Sequence, residues 1–210
     1  MLKLMYLARR KPGFTVDDFI RRWRKHGALG MEQPLWRYTL GYVQAEPIRP
    51  APVAAASQDY DAIASFMVDS DMFAGMTEED MAGSARMAED EAETFAEPIP
   101  GVSLWVQEEV IKPGEPGGVS AYLFFNSRQD AENIAEVARE RATHLNRIVL
   151  NLRDDESLGP AMNTLPYAAI LDLGASDLSS LRGALADDLA VAANLAVVTR
   201  DAVLWDRLPR

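Results

Sequence analysis

Residues 112–118, near the middle of the chain, form the connector Lys-Pro-Gly-Glu-Pro-Gly-Gly. Two prolines and three glycines in seven residues suit a linker and no regular element. The hydrophobic pattern before this linker predicts strand, helix, strand, strand, helix and strand, and the pattern after it predicts the same order. We therefore divide the chain into a first repeat (1–111), a linker (112–118) and a second repeat (119–210).

Short apolar runs and capping signals mark the elements of both repeats. The strands predicted in the first repeat are 2–8, 36–44, 60–68 and 103–111, and those in the second are 119–125, 147–152, 167–173 and 196–204. Thr15 followed by Asp18 predicts a helix that begins at Val16, and Ser127 followed by Asp130 predicts the start of another. Residues 71–96 are predicted as one or two helices with a break near 76–77, and 177–189 as the last helix.

The order βαββαβ is that of the split βαβ, or ferredoxin-like, unit, in which an antiparallel sheet carries helices on one face. Trp36, Tyr38 and Tyr42 share a face of the second predicted strand, and such an apolar face has to be covered. The sheet of the other repeat is the available cover. The sequence therefore predicts an α+β fold in which two ferredoxin-like sheets pack into an α/β barrel and enclose a chamber that His26 reaches.

Charge and cysteine content exclude several classes of function. The 210 residues hold 21 Lys and Arg against 32 Asp and Glu, a net charge of −11, which disfavours nucleic acid and anionic membranes as partners. The absence of cysteine removes disulfides, thiol nucleophiles and cysteine-ligated metals. With no signal peptide or membrane span recognisable, we expect a cytoplasmic protein.

His26 and Asp61 are the candidate catalytic residues. His26 lies three residues after Trp23 and seven after Phe19, which places it on the apolar stripe of the first helix, facing the sheet. If Asp61 contacted this imidazole, the carboxylate would orient it and raise its basicity for proton abstraction. The alternatives are a buried, purely structural histidine, and an aspartate that caps a loop or pairs with Arg37. His144 is interpreted as a surface residue.

Aromatic and acidic runs complete the candidates. Trp36, Tyr38 and Tyr42 are candidate substrate-binding residues for a flat ligand, with packed interface core as the alternative. The acidic runs 89–91 and 154–156 are interpreted as solvated faces, because consecutive carboxylates point in different directions. No metal site and no cofactor are predicted, since no phosphate-binding, dinucleotide or zinc motif is present.

Residues 2–111 resemble EthD-type domains of the dimeric α/β-barrel superfamily. The resemblance rests on segments 3–13 (KLMYLARRKPG), 19–29 (FIRRWRKHGAL), 37–38 (RY) and 60–64 (YDAIA), and the helix that contains His26 is its most specific part. The family often has a second histidine directly after the first, whereas Gly27 stands here. The second repeat follows the family in element order alone and resembles a degenerate copy, which implies a single site.

The resemblance implies a cofactor-independent enzyme that acts on a small aromatic or polyketide-like molecule by His-assisted proton transfer, as a lyase, dehydratase or isomerase. Two alternatives stay open: a non-catalytic small-molecule-binding or assembly protein, and a cofactor-free monooxygenase. The expected partner is a small aromatic substrate, and the expected assembly is a monomeric pseudo-dimer or a homodimer.

Overall fold

The computed structural model describes residues 1–208, except for the side chains at positions 186 and 187. Within this part the chain forms eight strands and four α-helices. In chain order these are β1 (Leu2–Ala8), α1 (Val16–Met31), β2 (Thr39–Pro47), β3 (Ala62–Val68), α2 (Glu78–Ala92), β4 (Ser103–Lys112), β5 (Gly118–Phe125), α3 (Arg128–Glu140), β6 (Arg147–Arg153), β7 (Ala169–Ala175), α4 (Leu178–Ala192) and β8 (Leu195–Asp206). Short 3₁₀ helices lie at Pro34–Tyr38, Ser70–Met72, Ile99–Val102 and Pro160–Met162.

The eight strands close into one antiparallel barrel in the order β1-β3-β2-β8-β5-β7-β6-β4. Within each half the strands follow the same ferredoxin-like arrangement, β4-β1-β3-β2 in the first and β8-β5-β7-β6 in the second. The halves are joined by hydrogen-bonded pairing of β2 with β8 and of β4 with β6. The predicted fold class, two βαββαβ units that form an α/β barrel, is confirmed.

Side-chain caps start the helices where the sequence predicts them. The Thr15 hydroxyl accepts a hydrogen bond from the Asp18 amide at 3.1 Å, and the Ser127 hydroxyl accepts one from the Asp130 amide at 3.3 Å. Thr77 forms a capping box at the start of α2, which accounts for the predicted break near 76–77. None of the described helices has the length and apolar composition needed to cross a membrane.

The second strand begins later than predicted. Residues 34–38 form a 3₁₀ helix, and β2 starts at Thr39. Pro34 favours a helical turn at this point because its ring fixes φ and it has no amide hydrogen to donate to a sheet. Trp36 and Tyr38 therefore do not share a strand face with Tyr42, and that part of the prediction is wrong.

The space inside the barrel is largely filled by side chains. Lys3 on β1 donates to Glu108 on β4 at 2.6 Å and to Asn151 on β6 at 2.8 Å. Arg147 on β6 forms an ion pair with Asp172 on β7 and lies 3.9 Å from Glu108. A cavity of about 280 Å³ remains next to Lys3 and Arg147, and His26 does not line it. The predicted chamber between the sheets that His26 reaches is therefore wrong.

Asp201 completes the polar interior on the side of the second half. It is 9% exposed and accepts hydrogen bonds from the Tyr122 hydroxyl at 2.9 Å and the Thr199 hydroxyl at 2.6 Å. Burial, together with the negative charge of Asp172, raises the pKa of Asp201 to about 6, and the hydroxyl donors offset part of that rise. The barrel interior thus contains a carboxyl group that gains a proton in mildly acidic solution.

Candidate functional site

A second cavity, of about 350 Å³, lies between the helices and the sheet of the N-terminal half. The strands β1, β3 and β4 contribute Tyr6, Phe66 and Trp105 to its lining. The helical elements contribute, among others, His26, Trp36 and Glu91. The cavity is therefore largely aromatic and apolar, with an imidazole and a carboxyl group in its wall.

Small residues on α1 and α2 leave this space open. Gly30 on α1 and Gly83 on α2 both line the cavity, and a Cβ atom at Gly30 would lie 3.5 Å from the methyl carbon of Met87. Larger residues earlier in α1 hold the helix on the sheet: Phe19 and Trp23 are fully buried, and the Trp23 indole donates to the Tyr6 hydroxyl at 2.7 Å. The change from large to small residues along α1 accounts for the position of the cavity.

His26 lies in the last part of α1 with 6% of its surface exposed. Its Nδ1 is 2.7 Å from Oδ2 of Asp90 on α2, and its ring meets the ring of Phe95 edge-on at 5.3 Å between centroids. Within residues 1–208 the Nε2 atom makes no hydrogen bond. The imidazole is thus held by one nitrogen, and His26 lines the cavity.

Asp90 holds the imidazole in a single tautomer. Arg22, one turn before His26 on α1, contacts both carboxylate oxygens of Asp90, at 3.0 and 2.5 Å. Burial of Asp90 opposes ionisation, but the Arg22 and His26 contacts outweigh it and keep the pKa of Asp90 below its usual value. An ionised Asp90 accepts hydrogen bonds and donates none, so Nδ1 of His26 carries the proton and Nε2 presents its lone pair.

Burial lowers the pKa of His26, and the hydrogen bond and negative charge of Asp90 offset part of that fall. The imidazole is therefore neutral at pH 7. A neutral imidazole with an oriented Nε2 lone pair beside an apolar cavity is able to accept a proton from a bound molecule.

Comparison with known protein families gives a match in the half of the chain that contains this cavity. Residues 11–99 match the EthD domain family. The matched segment lies within the N-terminal half of the chain. The resemblance predicted from the sequence is confirmed. No curated protein matches the chain.

Two solved structures share the fold of the whole chain. One is a candidate monooxygenase from Fusobacterium nucleatum subsp. nucleatum, with 11% identity and a TM-score of 0.51. The alignment covers 97% of this chain and 92% of that protein. A candidate chlorite dismutase covers 96% of this chain over 94% of its own, with 9% identity and a TM-score of 0.54. At these identities the likeness shows the fold alone.

Asp61 does not contact His26, so the predicted His26–Asp61 pair is wrong. Asp61 lies directly before β3: its carboxylate accepts the Arg10 amide at 3.0 Å and forms ion pairs with the side chains of Arg10 and Arg49. Arg10 follows β1 and Arg49 follows β2, so the pairing of these strands with β3 brings both cations to Asp61. Asp90 takes the place that the sequence assigned to Asp61.

The three aromatic candidates occupy different places in the N-terminal half. Trp36 lines the cavity. Tyr42 is buried behind it, with its ring stacked on Phe66 at 4.2 Å between centroids. Tyr38 lies outside the cavity lining, where its hydroxyl donates to the Gly75 carbonyl at 3.3 Å beside the Arg37 side chain. Arg37 itself forms an ion pair with Asp80 and not with Asp61.

The interpretation of acidic run 89–91 as a solvated face is wrong for two of its three residues. Glu89 is exposed, whereas Asp90 contacts His26 and Glu91 lines the cavity. In run 154–156, Asp154 is buried and accepts the backbone amides of Glu156 and Ser157, while its neighbours are exposed. His144 is exposed, as predicted. Among the described residues no group of three or more His, Cys, Asp and Glu side chains could hold a metal ion.

Proposed function

We propose that this protein is a cofactor-independent enzyme that acts on a small aromatic or polyketide-like molecule, and that His26 is its general base. The observation that carries the proposal is the oriented imidazole: Nδ1 is bound to Asp90, and Nε2 is free at an apolar cavity of about 350 Å³. Asp90, which is itself held by Arg22, acts as the positioning residue for this base.

The cavity lining supports an aromatic substrate. Trp36, Phe66 and Trp105 present ring surfaces, and the space is large enough for a molecule of one or two fused rings. Polar groups in the lining are few, which suits a ligand that is fixed by shape and stacking and oriented by one or two hydrogen bonds. The second half of the chain, with its filled helix layer, serves as support for the barrel.

The chemistry that fits this base is removal of a proton from a carbon next to a carbonyl group. Such a carbon acid is activated by its own carbonyl, so that a neutral imidazole in a desolvated site is a suitable acceptor. The resulting enolate leads to loss of water or to movement of a double bond, the outcomes of a dehydratase or an isomerase.

The test uses a probe with these features, 4-hydroxy-4-phenylbutan-2-one, whose dehydration to the conjugated enone is followed by ultraviolet absorbance. We expect the wild-type protein to accelerate the reaction over buffer and His26→Gln to lower kcat/KM by about 100-fold or more. The matched control is His144→Gln, which changes an exposed histidine and should leave the rate unchanged. Absence of acceleration by the wild type, or equal rates for wild type and His26→Gln, would contradict the proposal.

The same preparation separates the alternatives. A cofactor-free monooxygenase would consume oxygen on mixing with an electron-rich naphthol, and a binding protein would quench tryptophan fluorescence with the naphthol without turning over either compound. We further propose that a single chain is the functional unit, because each half pairs both of its outer strands with the other half. Light scattering at the mass of a dimer would contradict that part.

A further inference from the structure

Glu91 is the carboxylate side chain in the lining of the His26 cavity. It follows Asp90 on α2, and because successive residues of a helix point about 100° apart, the two carboxylates face different surroundings. Asp90 meets Arg22 and His26 on α1, whereas Glu91 turns toward the space above the sheet. Neighbouring carboxylates of α2 are therefore placed in contrasting environments.

The backbone holds the Glu91 carboxyl group at one oxygen. Oε2 accepts the amide hydrogen of Ile99, which begins the 3₁₀ helix after α2, at 3.2 Å. Within residues 1–208 this is the single hydrogen bond of the Glu91 side chain, and no lysine, arginine or histidine forms an ion pair with it. The carboxyl group is thus fixed in position without a compensating cation.

Such surroundings favour the protonated form. Burial raises the pKa of Glu91, the Ile99 amide offsets part of the rise, and the negative charge of Asp90 adds to it. Asp90, one residue earlier, has its pKa lowered by Arg22 and His26. An imidazole with a free nitrogen and a carboxyl group whose pKa is raised, both in the wall of one cavity, are the kinds of group that acid–base catalysis uses.

We propose that Glu91 is a catalytic residue that donates a proton to the leaving hydroxyl group, which makes the substrate an aromatic β-hydroxy carbonyl compound. This inference rests on the proposed function of His26. Nε2 of His26 takes the proton from the carbon between the carbonyl and the carbinol, and that electron pair forms the new carbon–carbon double bond. The carbon–oxygen bond breaks as Glu91 delivers its proton, and water leaves. His26 ends protonated and Glu91 ionised, and solvent returns both to their starting states.

A donor is needed because hydroxide is a poor leaving group, so that His26 alone would remove and replace the carbon-bound proton without loss of water. The wild-type enzyme should therefore show a bell-shaped dependence of kcat/KM on pH. The rate should fall in acid as His26 becomes protonated and should fall on the alkaline side as Glu91 ionises.

The experiment measures dehydration of 4-hydroxy-4-phenylbutan-2-one as a function of pH in wild type, Glu91→Gln, Glu91→Leu and Glu89→Gln. Glu91→Gln keeps the size and hydrogen-bonding capacity of the side chain but cannot deliver a proton, so kcat should fall and the alkaline limb should be absent from the activity that remains. Glu91→Leu removes the donor, and kcat should fall about 100-fold with little change in KM. Glu89→Gln, which changes an exposed carboxylate on the same helix, should reproduce the wild-type profile.

A second readout separates failure of this inference from failure of the proposed function. Exchange of the carbon-bound hydrogens of the probe for deuterium in D₂O, followed by NMR, depends on His26 and not on Glu91. Glu91→Leu should keep the exchange while it loses dehydration, and His26→Gln should lose both. A wild-type dehydration profile in Glu91→Gln and Glu91→Leu would overturn the role of Glu91, whereas exchange retained in His26→Gln would overturn the base itself.

Discussion

The two halves of the barrel share one strand order but pack their helices differently. In the C-terminal half, buried alanine and leucine side chains of α3 and α4 fill the layer between helices and sheet: Ala131, Ala135, Ala138, Leu181, Ala184, Leu185 and Leu189. In the N-terminal half, aromatic residues and glycines occupy the corresponding layer and leave a cavity of about 350 Å³.

This difference shows that the arrangement of strands and helices allows a site but does not determine whether a half contains one. Alanines on α3 allow that helix to lie close to the leucines of β5 and β7, which pack with them in one buried cluster. On α1, Phe19 and Trp23 occupy the layer at one end, and Gly30 leaves it empty at the other. The size of a few helix residues decides which half is filled and which half is open.

The largest expected effect comes from opening the filled half. Leu171 on β7 is fully buried, and Leu171→Ala should lower the free energy of unfolding by about 3 kcal/mol, through lost burial and a new void. Met87→Ala, at the wall of an existing cavity, should cost about 1 kcal/mol or less, because the truncated atoms already border empty space. Urea unfolding measures both. Equal losses would show that the two layers are packed alike.

Filling the two layers should again destabilise the C-terminal half more than the N-terminal half. Ala135→Leu adds volume where no space exists and should destabilise the protein by about 1–3 kcal/mol. Gly30→Leu projects a side chain into the cavity, so stability should change little while turnover of the probe is lost. Unfolding curves and probe kinetics on the same samples test the pair, and retained turnover in Gly30→Leu would place the reaction elsewhere.

The two halves also differ inside the barrel. Most of the titratable side chains there come from the C-terminal half. The pKa of Asp201, about 6, lies above the ordinary value of 3.8, so the folded state binds this proton more tightly than the unfolded state does. The carboxyl group therefore costs stability as pH rises through about 6. Asp201→Asn should raise the free energy of unfolding at pH 8 by about 1–2 kcal/mol and change it little at pH 4.

Asp172→Asn is the matched comparison, since Asp172 forms an ion pair with the nearly buried Arg147. Removing one member of such a pair should lower the free energy of unfolding at pH 8 by about 3 kcal/mol. Chemical denaturation at the two pH values measures both variants. A loss of stability in Asp201→Asn at pH 8 would show that the hydrogen bonds from Tyr122 and Thr199 matter more than the buried charge.

The smallest effect is expected from two helical glycines. Gly30→Ala in α1 and Gly183→Ala in α4 should each raise the free energy of unfolding by about 0.5–1 kcal/mol, because glycine is a poor helix former. A methyl group at position 30 enters the cavity lining, so Gly30→Ala alone should raise KM for the probe. An equal KM in both variants would show that the substrate does not bind in this cavity.

The sequence was sufficient for the architecture because strand and helix periodicities are local signals. The position of His26 on the buried stripe of α1 was predicted for the same reason. The carboxylate that contacts His26 was not predicted correctly. The choice between Asp61 and Asp90 depends on which cations lie near each carboxylate after folding. Arg10 and Arg49 bind Asp61, and no pattern within one element reveals that.

The cavity also escaped the sequence analysis, since a void is defined by residues from several segments that are distant along the chain. Tyr6, Trp36, Phe66 and Trp105 come from four different elements and meet around it. The strand predicted for 36–44 included residues 36–38, which belong to a 3₁₀ helix that places Trp36 at the cavity. Glu91 was hidden in an acidic run whose composition is typical of exposed helix faces.

Mutual pairing of β2 with β8 and of β4 with β6 has a consequence for the connector between the halves. Residues 113–115 are exposed, and the antiparallel ladders on both sides do not depend on covalent continuity there. If a protease cut this segment, the two fragments should stay associated through the β2–β8 and β4–β6 strand pairs. Each fragment expressed alone would expose two unpaired edge strands and should aggregate unless the other fragment is present.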